Sequence, residues 1–190
     1  MVRVSIHPAV DQGVKAGFPG FVGATLKCLC KTDAAEVKIA SDCAHNHVCG
    51  CTRCWKPAGA TFSQVAVVPL DRVKITRHAE KLKVVDPNAL IQRRACTACG
   101  VHMLGPVTRP NHPFTGLTFI HTKPGGNGWA APTFAAFVSS VIDGGTDPSR
   151  MAAIPARLND LHLPLHDALS PALMDDIASF TARANRVLKG

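Results

Sequence analysis

Apolar residues come in short bursts over the first two thirds of the chain, many of them alternating with polar ones, and only in the last third does the spacing lengthen to that of a helix. Gly23-Ala24-Thr25-Leu26-Lys27 reads as a short strand and Val37-Lys38-Ile39 as its partner. Phe62-Ser63-Gln64-Val65-Ala66-Val67-Val68, rich in β-branched residues and stopped by Pro69, suits a core strand. Val73-Lys74-Ile75, Leu82-Lys83-Val84-Val85, Val101-His102-Met103-Leu104 and Leu117-Thr118-Phe119-Ile120-His121 continue the series, and Ile91-Gln92-Arg93-Arg94 leads into Cys96. Short strands at close intervals, with no βαβ alternation, predict a mainly β protein of antiparallel sheets.

Three helices are expected near the C-terminus, as packing elements. Pro132 to Asp143 has proline in a first turn and Gly144-Gly145 at its end. Asp147-Pro148-Ser149 can cap a second helix that Pro155 should kink or interrupt. Ser170-Pro171 opens a third, with Leu173, Ile177, Phe180 and Ala184 on one face. Residues 1–20, with Pro8, Gly13, Gly17, Pro19 and Gly20, predict an irregular lead-in across the surface.

The 190 residues suffice for one ordinary core, and no Pro/Ser/Gly-rich linker divides them, so a single domain spanning 1–190 is expected. The opening Met1-Val2-Arg3-Val4-Ser5-Ile6-His7-Pro8 lacks the apolar run of a signal peptide, and nowhere do about 18 apolar residues run together. A soluble, cytoplasmic protein without a membrane partner is the expectation. The net charge of +8 favours anionic partners. Nucleic acid is disfavoured among them, because aromatics are 5%, tyrosine is absent and no dense Lys/Arg block occurs. The sequence leaves the oligomeric state open.

The eight cysteines change the picture most. In a reducing compartment clustered thiols hold metal rather than forming disulfides. Cys28-Leu29-Cys30 and Cys96-Thr97-Ala98-Cys99, joined by folding, make a four-thiolate set that fills a tetrahedron and so reads as a structural zinc site. A Gly100 free to take positive φ would complete the knuckle. Cys49-Gly50-Cys51-Thr52-Arg53-Cys54 brings three thiols within six residues, with Gly50 expected to let the backbone double back, inside a metal-binding loop over residues 41–60. The fourth position of this second zinc decides between structure and catalysis. Cys43, His45 or His47 could close it, or water could leave it open, and spacing alone does not choose. For His45, His47, His102 and His121 a hydrogen-bonding role is the ordinary alternative to ligation.

An open position favours a soft thiolate, since zinc keeps a bound thiol deprotonated, and Arg53, Lys56, Arg93, Arg94 and Lys123 could draw in an anionic thiol. A nucleic-acid zinc ribbon would show two Cys-x-x-Cys knuckles, and a thiol oxidoreductase would place its motif in a βαβ pattern; neither is present. A purely structural two-zinc module stays open on spacing.

Several stretches over nearly the full length carry a resemblance: Cys28-x-Cys30; His45-Asn46-His47-Val48-Cys49-Gly50-Cys51-x-x-Cys54-Trp55-Lys56-Pro57; Phe62-Ser63-Gln64-Val65-Ala66-Val67-Val68; Cys96-x-x-Cys99-Gly100-Val101-His102-Met103; Phe134-Ala135-Ala136-Phe137-Val138-Ser139-Ser140; Asp147-Pro148-Ser149-Arg150-Met151; and Asp167-Ala168-Leu169-Ser170-Pro171. In these the chain resembles the glutathione-dependent formaldehyde-activating enzymes. The resemblance implies an Mss4-like fold and two Zn2+ per chain, a structural one on Cys28, Cys30, Cys96 and Cys99 and a catalytic one on Cys49, Cys51 and Cys54. It also implies glutathione and formaldehyde as substrates, S-hydroxymethylglutathione as product and a carbon-sulfur lyase serving formaldehyde detoxification, with His47 as a candidate proton donor. A glutathione carrier without catalysis is the alternative. Leu104 stands where the family pattern suggests an aromatic residue, which would alter the pocket if that position lines it.

Overall fold

Among the described residues, 4–188 of the computed structural model, ten strands and two α-helices form, and Met1, Val2 and Arg3 of the expected lead-in lie outside them. The strands are β1 (Thr25–Lys27), β2 (Glu36–Ile39), β3 (His45–Cys49), β4 (Ser63–Pro69), β5 (Val73–Arg77), β6 (Leu82–Val84), β7 (Arg94–Cys96), β8 (His102–Pro106), β9 (Leu117–His121) and β10 (Ala135–Ala136). They build a three-stranded sheet, β1-β2-β5, and a seven-stranded sheet, β10-β3-β4-β9-β8-β7-β6. Every pairing is antiparallel except β10 on β3. The protein is therefore mainly β, as the alternation predicts.

Pairing in register sorts side chains by face, because residues opposite each other point the same way. His47 faces Val65 and Val65 faces His121, so these share one face of the large sheet. Asn46, Ala66 and Ile120 share the other. On that second face Ala66, Val68, Leu82, Met103, Leu104 and Ile120 pack with Leu26, Val37 and Ile39 of the small sheet, forming the inter-sheet core. Leu104 belongs to this core, so it fills space between sheets and does not shape the cysteine cavity described below.

Four expectations are corrected. Residues 41–60 do not form one loop, because His45–Cys49 is strand β3, held between β4 and β10, and the turn that carries Cys51 and Cys54 begins only after it. Residues 132–143 are not a helix. Ala135 and Ala136 pair with Val48 and Cys49, Phe137 then takes φ 53°, and a 3-10 turn follows at Ser139–Val141. Two small side chains let β10 lie against β3, and that long-range pairing overrides local helix propensity. The lead-in is irregular but not superficial, since Val4, Ile6 and Val10 are buried in a second core with Phe62, Val141, Ile154 and Leu158. Pro155 does not interrupt α1 (Ala153–Asp160), because it sits in the first turn, where the missing N–H has no intrahelical acceptor to lose.

Asp147 caps a 3-10 turn at Pro148–Arg150, its carboxylate accepting from the Ser149 N–H at 2.8 Å. The last helix, α2 (Pro171–Ala184), starts at the expected Ser170-Pro171 punctuation. It buries no residue fully; Leu173 and Ile177 are half-buried, while Phe180 and Ala184 are exposed. No helix of the described residues is long and apolar enough to cross a membrane.

Candidate functional site

Cys28 and Cys30 follow directly on β1, and Cys96 ends β7, the strand next to the β6 edge of the other sheet. Folding brings the sulfurs of Cys28, Cys30, Cys96 and Cys99 within 4.8 Å of one another. Around a tetrahedral zinc with bonds of about 2.3 Å, ligand sulfurs stand about 3.8 Å apart. Cys30 Sγ and Cys96 Sγ are 3.7 Å apart. The knuckle forms as expected: Gly100 takes φ 73°, its N–H donates to the Cys96 carbonyl at 2.8 Å, and the Cys96 N–H donates to the Val101 carbonyl at 2.9 Å. Burial opposes ionisation of Cys96, but N–H groups of Cys99 and Ala98 outweigh it and draw the thiol down to about 7. A bond with Cys28 pushes Cys30 up to about 12.

The second set arises where β3 runs out. Cys49 is its last residue, and the turn after it returns Cys51 and Cys54, so that the three sulfurs again lie within 4.8 Å of one another. Gly50 serves this turn differently from the expectation, since its φ is not positive. A Cβ there would collide with the Phe137 carbonyl oxygen and reach Val141 Cγ1, so glycine is required for close approach of the β10 segment. Cys51 Sγ and Cys54 Sγ, 3.2 Å apart, must part by about half an ångström to share one zinc. Hydrogen bonds from Cys49 and Cys54 converge on Cys51 and hold its thiol down to about 2, while the bond with Cys51 pushes Cys49 far up. Three touching thiols thus carry one charge readily. Ionising all of them puts like charges in contact, which a divalent cation among them would offset. Both donor sets fit zinc chemistry, and each can hold one metal ion.

No histidine, carboxylate or eighth cysteine joins either group among the described residues. Cys43 packs against the inter-sheet core, and burial pushes its thiol up to about 12. His47 presents its ring to Phe134, stacked at 5.0 Å and 4°, and burial lowers it to about 4, so it is a neutral imidazole near pH 7. His121 Nδ1 shares a 2.8 Å hydrogen bond with Ser63 Oγ, the ordinary role allowed for it, and burial lowers it to about 3. His102 and Trp55 stand against the His121 ring.

The three-cysteine set opens into a cavity of about 340 Å³. Arg53, Arg93, Thr52, Ser140 and Asp143 give it polar wall, and Val65, Ile91, Phe114, Phe119, Phe137 and Leu169 give it apolar wall. Arg93 Nη2 lies 3.8 Å from Cys54 Sγ, bringing positive charge to the thiols. Of the basic residues expected to draw in an anion, Arg53 and Arg93 line this cavity. Lys56 is engaged with the Cys51 carbonyl at 2.7 Å, Arg94 does not line the cavity, and Lys123 lines a different cavity beside Gln64 and Trp129. Sequence reasoning missed Phe137, Ser140 and Asp143, because it placed them in a helix. It missed Phe114 and Leu169 because nothing in an isolated loop says which strand end it will cover.

A comparison with family models matches residues 24–139, more than half of the chain, to the family described as glutathione-dependent formaldehyde-activating enzyme. The matched stretch contains all seven clustered cysteines and ends before Ser140, Asp143 and both α-helices.

Proposed function

The chain belongs to the glutathione-dependent formaldehyde-activating enzyme family, and from that premise we propose that it condenses glutathione with formaldehyde to S-hydroxymethylglutathione at Cys49, Cys51 and Cys54. The supporting observation is the three-thiol set at the wall of an open, partly basic cavity, with no fourth protein ligand gathered to it among the described residues. A closed four-cysteine set lies elsewhere and reads as structural.

A zinc ion held by these three sulfurs would stabilise the thiolate form of a fourth, incoming sulfur at neutral pH. The chain's own residues position the reaction. Arg53 and Arg93 attract the carboxylates of glutathione, and Asp143 complements its ammonium group. Phe119, Phe137 and Val65 restrict water around the reacting carbon. In the addition the glutathione S–H bond gives up its proton, the sulfur bonds to the formaldehyde carbon, the C=O π bond breaks with its electron pair going to oxygen, and the oxygen takes one proton back from water; nothing is oxidised or reduced. His47, neutral and on the cavity wall, is the hydrogen-bond donor assigned to that oxygen. Run in reverse, the same step is a carbon-sulfur lyase reaction.

Two measurements check this reading. Elemental analysis of protein purified without chelator is expected to give two zinc ions per chain, and one or none at full folding would remove the second site. Equilibration of glutathione with formaldehyde, followed by exchange NMR, is expected to accelerate at least about tenfold with catalytic amounts of protein. Glutathione binding without acceleration would leave a carrier.

A further inference from the structure

Beside the cysteine cavity, and sharing His47, Phe114, Phe119 and Leu169 with it, lies a mostly apolar annex of about 170 Å³. Its far wall is α2, through Leu173, Ile177 and the edge residue Asp176, with His45 the other polar residue besides His47 in a lining otherwise made of aliphatic, aromatic and proline side chains. Leu173 and Ile177 stay only half-buried, because the helix stands over the sheet without closing on it. Leu169 and the helix lie beyond the matched residues 24–139, whereas the opposite wall, from His45, His47, Val67, Phe114 and Phe119, lies within them. Formaldehyde has no substituent to place there.

We propose that the annex receives an apolar substituent on the carbon bonded to the glutathione sulfur, so that the site takes alkyl aldehydes as well as formaldehyde. This rests on the glutathione reading above and deepens it. A cavity of about 150 Å³ lined by Leu, Ile and Phe is enough for benzene, so the annex accommodates an alkyl chain of about five or six carbons. The four shared wall residues make the annex adjacent to the cavity lined by Cys49, Cys51 and Cys54, and one of them is His47, assigned above to the reacting oxygen. The chemistry is unchanged: the thiol gives up its proton, sulfur bonds to the aldehyde carbon, the C=O π pair moves to oxygen, and the oxygen takes one proton back from water, giving a hemithioacetal whose alkyl group lies under α2.

S-hexylglutathione and S-methylglutathione test the annex by binding, without turnover, because the S-alkyl chain leaves the sulfur where the aldehyde carbon would. On the zinc-loaded protein, calorimetry is expected to show the hexyl compound binding at least about tenfold tighter, since each buried methylene is worth a factor of about four and burial will be incomplete. Ile177→Trp, which fills the annex, and Leu173→Asn, which makes it polar, should each erase that advantage and leave glutathione itself binding as before. Hexanal should likewise be accelerated by the wild type and lose that acceleration in both variants. Equal affinities for the two S-alkyl compounds, with glutathione still bound, would overturn the annex and spare the glutathione reading. If glutathione fails to bind at all, both readings fall.

Discussion

Cys96→Ser is expected to yield insoluble protein, or a melting temperature lowered by at least about 10 °C for a chain of this size. Cys96 is buried at the end of β7, with its sulfur 3.7 Å from that of Cys30, 66 residues away. A structural zinc contributes an apparent 10–16 kcal/mol, roughly the whole stability of an ordinary domain, about 5–15 kcal/mol, so losing a quarter of its ligands endangers the fold. The loss has a specific place. Cys28 and Cys30 hang from the small sheet and Cys96 and Cys99 from the end of β7 in the large one, so the ion would fasten the two layers across their common core. Cys43→Ser gives the comparison. That side chain packs against the same core but belongs to neither sulfur group, and its substitution should cost about 1 kcal/mol or so. Thermal melts in which the Cys43 and Cys96 variants lose equally would mean that no metal is fastening the sheets.

Cys51→Ser should do the opposite, leaving a folded protein with one zinc and without the glutathione response. Its turn is fixed by β3, by the Gly50 N–H donating to the Ala136 carbonyl at 2.9 Å, and by Lys56 on the Cys51 carbonyl at 2.7 Å. None of these depends on the sulfur. In the wild type with cobalt in place of zinc, adding glutathione is expected to intensify the sulfur-to-metal charge-transfer band, as a fourth thiolate joins three. S-methylglutathione, which offers no thiolate, should leave the band unchanged, and so should glutathione added to Cys51→Ser. The outcome that would sink the open site is a wild-type spectrum indifferent to glutathione alongside a responsive Cys43→Ala, since the eighth cysteine would then be the fourth ligand.

Much of the chemistry was legible because it is written locally. Cys49, Cys51 and Cys54 lie within one turn of each other, so their convergence needs only the backbone between them, and Cys96-Thr97-Ala98-Cys99-Gly100 encodes its own knuckle. The long strands were legible for the same reason. Leu117–His121 forms at the predicted bounds, and Phe62 to Val68 matches β4 within a residue at each end. Their alternation or β-branching reports burial without knowledge of the partner. The failures share a cause. The stretch from Pro132 to Asp143 has helical punctuation and no local sign that Ala135 and Ala136 will pair with Val48 and Cys49, so a long-range contact reversed a local preference. The strand His45–Cys49 was hidden in the same way, since its two polar histidines face the cysteine side of the sheet and mask the alternation.

By itself, then, the sequence determined the class of fold, the two thiol sets and the family to which they point, because residue type and short spacing carry that information. It left open whether Cys43, His45 or His47 completes the three-cysteine set. Only the tertiary structure decided that none of them lies within the sulfur group, that Arg53 and Arg93 rather than Lys123 face it, and that α2 stands off the sheet over an apolar space. The physical reason is that strand register assigns every side chain to one face or the other, and register is set by pairing between segments far apart in the chain.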